Sequence, residues 1–360
     1  MPRPKKSRLR RVLVGVLAFC VGLIGGGGAI GCCVFSAPGH SGPATDHFDG
    51  EKFSNQVPVE HAGFCEFLGW QLTAEPGAWE DVSDAKPGQK PPARVGKGEL
   101  RITFVGHATT LVQMDGKNVL TDPIWSERAS PVSFAGPKRV RPPGIRFEDL
   151  PSIDAVVVSH SHYDHLDMPT LKRLHAAHRP RFFVGLGNRQ LLEADGIDRV
   201  TELDWWEHVD LGDGVVVHSV PAQHFSGRGL CDRDVTLWMG YVLRGPGGVV
   251  YFAGDTAMGP HFEQVRQRFG APRLAILPIG AYLPRWFMQR VHVSPAEAVE
   301  AHQILGAEQS VAVHFGTFNL GDDGQQQAPE ELREALRKRG VDAASFWVLG
   351  FGEGRPIRRK

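Results

Sequence analysis

Outside its first 33 residues this 360-residue chain has only two cysteines, Cys65 and Cys231, and it contains no Cys-x-x-Cys spacing. A thiolate metal centre and a dense disulfide framework are thereby excluded. Two buried free thiols are the expectation for the pair, with a bond between them as the alternative. No internal repeat is visible, which excludes a solenoid or a propeller. The body also lacks an excess of positive charge. Six of the basic residues (Arg3, Lys5, Lys6, Arg8, Arg10, Arg11) fall in the first eleven positions, leaving 34 basic against 40 acidic residues, a balance of about −6. Nucleic-acid binding rests on neutralising phosphates, so a nucleic-acid partner is not expected.

What the sequence does have begins with an uncharged run of 24 residues, 12–35, directly after the basic tip. As a helix it would span about 36 Å, enough for a hydrocarbon core of about 30 Å. Its seven glycines weaken that reading. A cleaved secretory signal fits the same pattern, and Ala29-Ile30-Gly31-Cys32 resembles a lipoprotein cleavage box. All three readings make the protein membrane-associated or exported, with the body extracytoplasmic, in a bacterial envelope.

Residues 36–98 read as an N-terminal extension, with the Pro/Gly-rich stretch 75–98 a connector. From residue 99 to 357 short apolar runs alternate with helical patterns. Strands are expected at 100–105, 110–114, 117–121, 155–158, 181–184, 215–220, 237–243, 249–253, 274–277, 310–313 and 345–349, with an Asp115-Gly116 hairpin turn. Helices are expected at 169–178, 262–269, 295–305 and 330–339, the third behind the capping box Ser294-Pro295-Ala296-Glu297. The pattern predicts an α/β domain of two packed sheets with helices outside.

The run 155–158 leads straight into SHSHYDHLD, residues 159–167. If a strand ends at Val158, His160 and His162 project the same way, and Asp164 and His165 lie on the bend that follows. The alternative is a polar loop with surface histidines. Three more apolar runs argue against it, because each delivers a comparable residue at its C-terminal end: His224 after 215–220, Asp255 after 249–253 and His314 after 311–313. That is the usual address of an active site in an α/β protein. Five imidazoles and two carboxylates without thiolate suit zinc, or iron or manganese. Seven ligands exceed one tetrahedral ion and suit two ions sharing a carboxylate.

His-x-His-x-Asp-His with the downstream His, Asp and His resembles the metallo-β-lactamase superfamily. Thr121-Asp122-Pro123-Ile124, Leu203-Asp204-Trp205-Trp206-Glu207, Phe252-Ala253-Gly254-Asp255-Thr256, Pro284-Arg285-Trp286-Phe287-Met288 and His314-Phe315-Gly316-Thr317-Phe318 resemble, more narrowly, its N-acylphosphatidylethanolamine-hydrolysing phospholipase D family. The resemblance runs from about residue 100 to 354. It implies an αββα four-layer sandwich and two Zn²⁺ per chain. His160, His162 and His224 would hold the first ion and Asp164, His165 and His314 the second, with Asp255 bridging. It implies a phospholipid substrate, cut to phosphatidic acid and an N-acylethanolamine.

Asp164, Asp255 and His292 are the expected catalytic residues. Tyr282, His292 and Trp286 are the expected substrate contacts, His292 near the head group. Asp122 is read either as a partner of a ligand histidine or as a turn cap, and His107 either as structural or as catalytic. Lys138, Arg139 and Arg141 are read either as lipid-phosphate contacts or as a solvated loop. Trp205, Trp206, Trp286 and Phe287 are read either as an acyl groove or membrane interface or as core. A lactonase or a small-molecule phosphodiesterase on the same metals is the competing activity, and a non-catalytic envelope protein the third reading. Oligomeric state, a homo-oligomer included, is open.

Overall fold

The computed structural model describes residues 35–60 and 63–358. Residues 12–34 of the uncharged run, with Cys20, Cys32 and Cys33, lie outside them. No helix among the described residues is long and apolar enough to cross a membrane.

The first sheet collects β1 (Leu100–Gly106), β2 (Thr109–Met114), β3 (Lys117–Thr121), β4 (Ala155–Val157), β5 (Arg181–Gly185) and β6 (Val200–Leu203), with β14 (Gly354–Pro356) at its edge. Its order is β14-β1-β2-β3-β4-β5-β6. The second collects β7 (His208–Gly212), β8 (Val215–Val220), β9 (Gly240–Gly245), β10 (Gly248–Phe252), β11 (Leu274–Pro278), β12 (Ser310–Val313) and β13 (Phe346–Trp347). Its order is β13-β12-β11-β10-β9-β8-β7. Both are mixed, with antiparallel pairs such as β1–β2 beside parallel ones such as β3–β4 and β11–β12.

The two-residue period of a strand decides which side chain enters which layer. In and after β4, Ala155 and Val157 face the core between the sheets, whereas Val156 and Val158 join Leu171 and Leu174 of helix α2 (Met168–His178) in a separate apolar cluster outside. Each such valine, fully buried, stabilises the fold by about 1.5–3 kcal/mol. On the other flank α4 (His261–Phe269), α6 (Pro295–Leu305) and α7 (Gln327–Lys338) place Phe262, Val265, Ala298, Leu305 and Leu332 in the same cluster as the second sheet. The layers are therefore αββα, as expected. Tyr241 of β9 stitches the sheets together, donating to the carbonyls of Val158 at 2.9 Å and Phe183 at 3.0 Å.

The capping box at Ser294 forms, and Gly306 closes α6 in the left-handed region at φ 58°. Asp115 and Gly116 take φ 50° and 79°, the hairpin turn expected of Asp-Gly. The strand expected from residue 237 begins only at Gly240. Leu237 and Met239 instead donate to Leu186 and Ser159, binding the loops of the first sheet. Strands β6, β7 and β14, and helices α1 (Phe64–Thr73), α3 (Arg189–Ala194) and α5 (Arg285–Met288), were not signalled by periodicity.

The N-terminal extension is part of the body. Ala37 donates to Asp232 at 2.7 Å, His40 to Val235 at 2.8 Å, and Asn55 clasps the segment that carries His224. Cys65 is free and exposed, whereas Cys231, also exposed, is disulfide-bonded. The expectation of two buried free thiols fails, because both sit at the surface, and they do not pair with each other.

Candidate metal centre

The C-terminal ends of β4, β8, β10 and β12 converge, and each contributes to one cluster. Backbone conformation is specialised there. His107, Asp122 and His314 all occupy the left-handed region, at φ 54°, 34° and 63°, where non-glycine residues are uncommon and cluster at functional sites. Glycines let the loops approach. A Cβ on Gly280 would lie 1.9 Å from the carbonyl oxygen of His314, and one on Gly254 would lie 2.6 Å from the Cβ of Ser159.

Two groups of ligand atoms result. His160, His162 and His224 form one, with His160 Nε2 2.8 Å and His224 Nε2 3.4 Å from His162 Nδ1. Asp164, His165 and His314 form the other, joined by His107. Asp255 lies between them. Its Oδ2 is 3.0 Å from Nε2 of both His165 and His314, and 4.0 and 3.9 Å from Nε2 of His160 and His224. All seven expected ligands are thus brought together, and His292 joins them with Nδ1 4.0 Å from Asp255 Oδ2.

The polar atoms at the centre of this cluster are the test of whether a cation belongs there. Asp255 Oδ1, His165 Nε2, His292 Nδ1 and both ring nitrogens of His314 are buried without an aligned hydrogen bond among the described residues. Orphaned buried nitrogens and a carboxylate aimed at one point are costly unless something else satisfies them. A divalent cation does so, and the imidazole and carboxylate donor set fits zinc.

Electrostatics divides the rings. Burial drives His162 down to about 4 and His224 and His292 down to about 3, and it lowers His160 well below the ordinary value, so these rings are neutral at pH 7 as ligands must be. Burial opposes charge on Asp255 as well, but His165 and His314 outweigh it and hold the carboxyl well below its usual range. In return Asp255, against burial, raises His314 to about 9 and His165 well above its ordinary value. The carboxylates of Asp255 and Asp164 demand positive charge, from protons on these rings or from metal.

Residues behind the ligands orient them. Asp122 is fully buried and accepts from Ser159 N at 2.6 Å and Ser159 Oγ at 2.5 Å, with His165 Nδ1 at 2.6 Å. His224 Nδ1 lies 2.8 Å from the carbonyl of Val291, which fixes its tautomer with Nε2 toward the centre. His107, read from the sequence either as structural or as catalytic, contacts Asp164 Oδ2 at 2.7 Å and accepts at its carbonyl from His314 N at 2.8 Å. Asn55 had no sequence signal. Its side chain donates to His224 O at 2.7 Å and accepts from His224 N at 3.0 Å.

Over the cluster opens a cavity of about 510 Å³ with His162, Asp164, Asp255, His292 and His314 at its polar end. Its walls are largely apolar: Phe67 and Trp70 of α1, Phe287 and Met288 of α5, and Leu320. Phe287 packs on Trp70 at 4.9 Å between ring centroids. Tyr282 is buried and Trp286 half-exposed, and neither lines this cavity; their neighbours Ala281 and Phe287 do. Trp205 is core, its indole donating to Trp238 O at 2.8 Å. Arg139 is half-buried and used up on the carbonyls of Ser126, Arg141 and Ile124, and Lys138 pairs with Glu127 at 3.1 Å. With Arg141, which packs over the Phe351 ring, these basic residues stand away from the cavity.

Comparison with known proteins agrees with this geometry. Residues 117–315 match the beta-lactamase superfamily domain. The chain is 41% identical over 266 residues to the N-acyl-phosphatidylethanolamine-hydrolyzing phospholipase D 1 of Caenorhabditis elegans, covering 71% of this chain and 75% of that one. It is 39% identical over 280 residues to an uncharacterized protein of Mycobacterium tuberculosis, covering 76% and 74%. Among solved structures, a metallo hydrolase of the archaeon Ignicoccus hospitalis superposes with a TM-score of 0.55 at 22% identity, over 73% of this chain and all of that one. The last likeness concerns the fold alone.

Proposed function

This chain belongs to the metallo-β-lactamase superfamily and is a metal-dependent hydrolase; from that premise we propose that it is a dizinc phosphodiester hydrolase of phospholipase D type. In this reading it cleaves N-acylphosphatidylethanolamine, or a close glycerophospholipid, to phosphatidic acid and an N-acylethanolamine. One observation carries the proposal: the ligand cluster forms the polar end of a cavity whose other walls, Arg233 apart, are apolar. A phosphodiester suits the polar end, and acyl chains suit Phe67, Trp70, Phe287 and Leu320. A soluble sugar phosphate would leave that apolar surface without a partner. The 41% identity to a phospholipase with this named substrate supports the same class.

His160, His162 and His224 would hold one Zn²⁺ and Asp164, His165 and His314 the other, with Asp255 shared. When bound, the pair supplies Lewis-acid chemistry toward water and the phosphoryl oxygens. The chain's own residues do the rest. Asp122, His107, Asn55 and the Val291 carbonyl fix ring and carboxylate orientations, and the apolar walls hold the lipid and exclude water. His292, neutral at pH 7 and beside Asp255, would orient the leaving oxygen. In the same reading the run 12–35 tethers the protein to the membrane that supplies its substrate.

The deciding assay presents metal-loaded protein with N-acylphosphatidylethanolamine in mixed micelles and, separately, with a soluble lactone and a sugar phosphate. Release of phosphatidic acid is expected from the first. Turnover of only the soluble compounds would replace the phospholipase reading with the lactonase or small-phosphodiesterase one, and no turnover at all would favour a metal-binding protein without catalysis.

A further inference from the structure

The loop that carries four of the ligands, residues 159–167, is held by Asp122 through Ser159 and His165. A side chain from a different loop fastens it as well. Arg228 Nη1 donates to the carbonyl of Ser161 at 2.7 Å and to that of Leu166 at 2.9 Å. Ser161 separates His160 from His162, and Leu166 follows His165. One nitrogen therefore ties the part of the loop serving the first ligand group to the part serving the second. We propose that Arg228 is a positioning residue for the metal centre, setting the spacing between the two ligand groups.

The surroundings fit that role better than a general structural one. The guanidinium carbon stands 4.0 Å over the ring of Tyr163, the loop residue between the two bonded carbonyls, so the head group is held on its face as well as at its edge. Among the described residues no carboxylate reaches it at ion-pair distance. A further cation beside a site built for two dications is electrostatically unfavourable, and an apolar side chain would avoid that cost. What the arginine provides instead is two fixed carbonyls.

Its own backbone is locked. The buried carboxylate of Asp232 accepts from Arg228 N at 3.0 Å and Gly229 N at 2.7 Å, and Gly227 N donates to Ser161 Oγ at 3.2 Å. His224 lies four residues upstream on the same segment. Movement of Arg228 would thus shift His224 against His160 and His162 as well.

The inference rests on the two-metal reading of the site and is independent of the substrate. Its test is Co²⁺ titration of the metal-stripped full chain, followed by visible absorption, for wild type, Arg228→Met and Arg228→Lys. The expected result for Arg228→Met is Co²⁺ affinity weaker by about 10–100-fold. The saturated protein should show an altered absorption band, with kcat lowered and KM within about twofold. Arg228→Lys restores a donor without the planar stack and should recover part of the affinity and a band nearer wild type. Arg228→Met with wild-type affinity and band would overturn the proposal, and so would a lower melting temperature with both unchanged, which is the signature of a merely structural residue. Should Arg228→Met fail to fold, Arg228→Lys and Arg228→Gln carry the test by the same readouts, and wild-type spectra in both would overturn it. Wild-type protein that takes up no Co²⁺ would sink the two-metal reading itself, and this inference with it.

Discussion

Asp122 Oδ2 stands 2.6 Å from His165 Nδ1, and both side chains are fully buried. The carboxylate sits at the end of β3 and the imidazole in the loop after β4, so the contact joins two neighbouring parallel strands behind the metal centre. The same oxygen accepts from Ser159 Oγ, and the other from Ser159 N. Asp122→Asn must turn a donor toward one of these groups. Metal affinity should fall by about 10–100-fold, as is usual when the partner of a ligand histidine is lost. Equilibrium dialysis against zinc measures it, and unchanged affinity would return Asp122 to the role of a turn cap.

Asp255 is the carboxylate that both ligand groups share. Asp255→Asn should keep the fold, since its side chain makes no contribution to either apolar cluster, but should lose about 100-fold or more of the activity. Metal analysis of wild type should give two ions per chain and fewer in the variant. Two ions retained together with full turnover would show that the bridge is misassigned.

Much of this was legible in the sequence because two signals coincide at each ligand: an apolar run that must be a buried strand, and a His or Asp within a few residues of its end. The four strand ends that deliver Asp164, His224, Asp255 and His314 needed no structure. The supporting residues were harder. Asn55 lies in a segment without periodicity, and nothing local shows that its side chain closes on His224 in space. His107 is a lone histidine whose role depends on a left-handed turn after β1. The cavity wall was only partly legible, because α1 has few polar residues to mark a face and α5 is a single turn. Trp286 and Phe287 are adjacent, and only packing against Trp70 selects Phe287 for the cavity.

Asn55→Ala removes both bonds to the His224 backbone and one from the Trp238 indole. Stranding buried groups costs about 1–3 kcal/mol each, so the melting temperature should fall by several degrees. Metal held by the His224 group should also loosen. Thermal unfolding with and without excess zinc separates the two effects, and a variant identical to wild type in both would leave Asn55 as a surface residue.

His47 ties the N-terminal extension to the body. It lies between Asp46 and Asp204, 2.6 and 2.8 Å from their carboxylates, and stacks on Trp205 at 4.3 Å. Burial works against its charge, but the bonds to Asp204 and Asp46 prevail and its pKa is raised above 6.5. A raised folded value means that the stabilisation is complete below the unfolded pKa and is lost as pH climbs through the folded one. The gap in melting temperature between wild type and His47→Ala should therefore be wider at about pH 6 than at about pH 9. A gap independent of pH would mean that only stacking holds the segment.

His292 is the residue on which chemistry and metal binding can be told apart. Its ring belongs to the cavity wall, 4.0 Å from Asp255 and 5.1 Å from the ring of His224 between centroids. Burial holds its pKa at about 3, so at neutral pH it offers one N–H and one lone pair and no charge. Its backbone is fixed independently, with N donating to Met288 O at 2.8 Å and O accepting from Arg285 at 3.0 Å. His292→Ala should therefore leave the loop and the seven ligand residues in place while removing the group proposed to orient the leaving oxygen. Turnover of N-acylphosphatidylethanolamine should drop by about 10²–10⁴-fold, the usual contribution of a positioned proton-transfer group, with two ions still bound. If metal content falls in step with activity, His292 is a ligand and not a substrate contact. If neither changes, the ring only fills the wall.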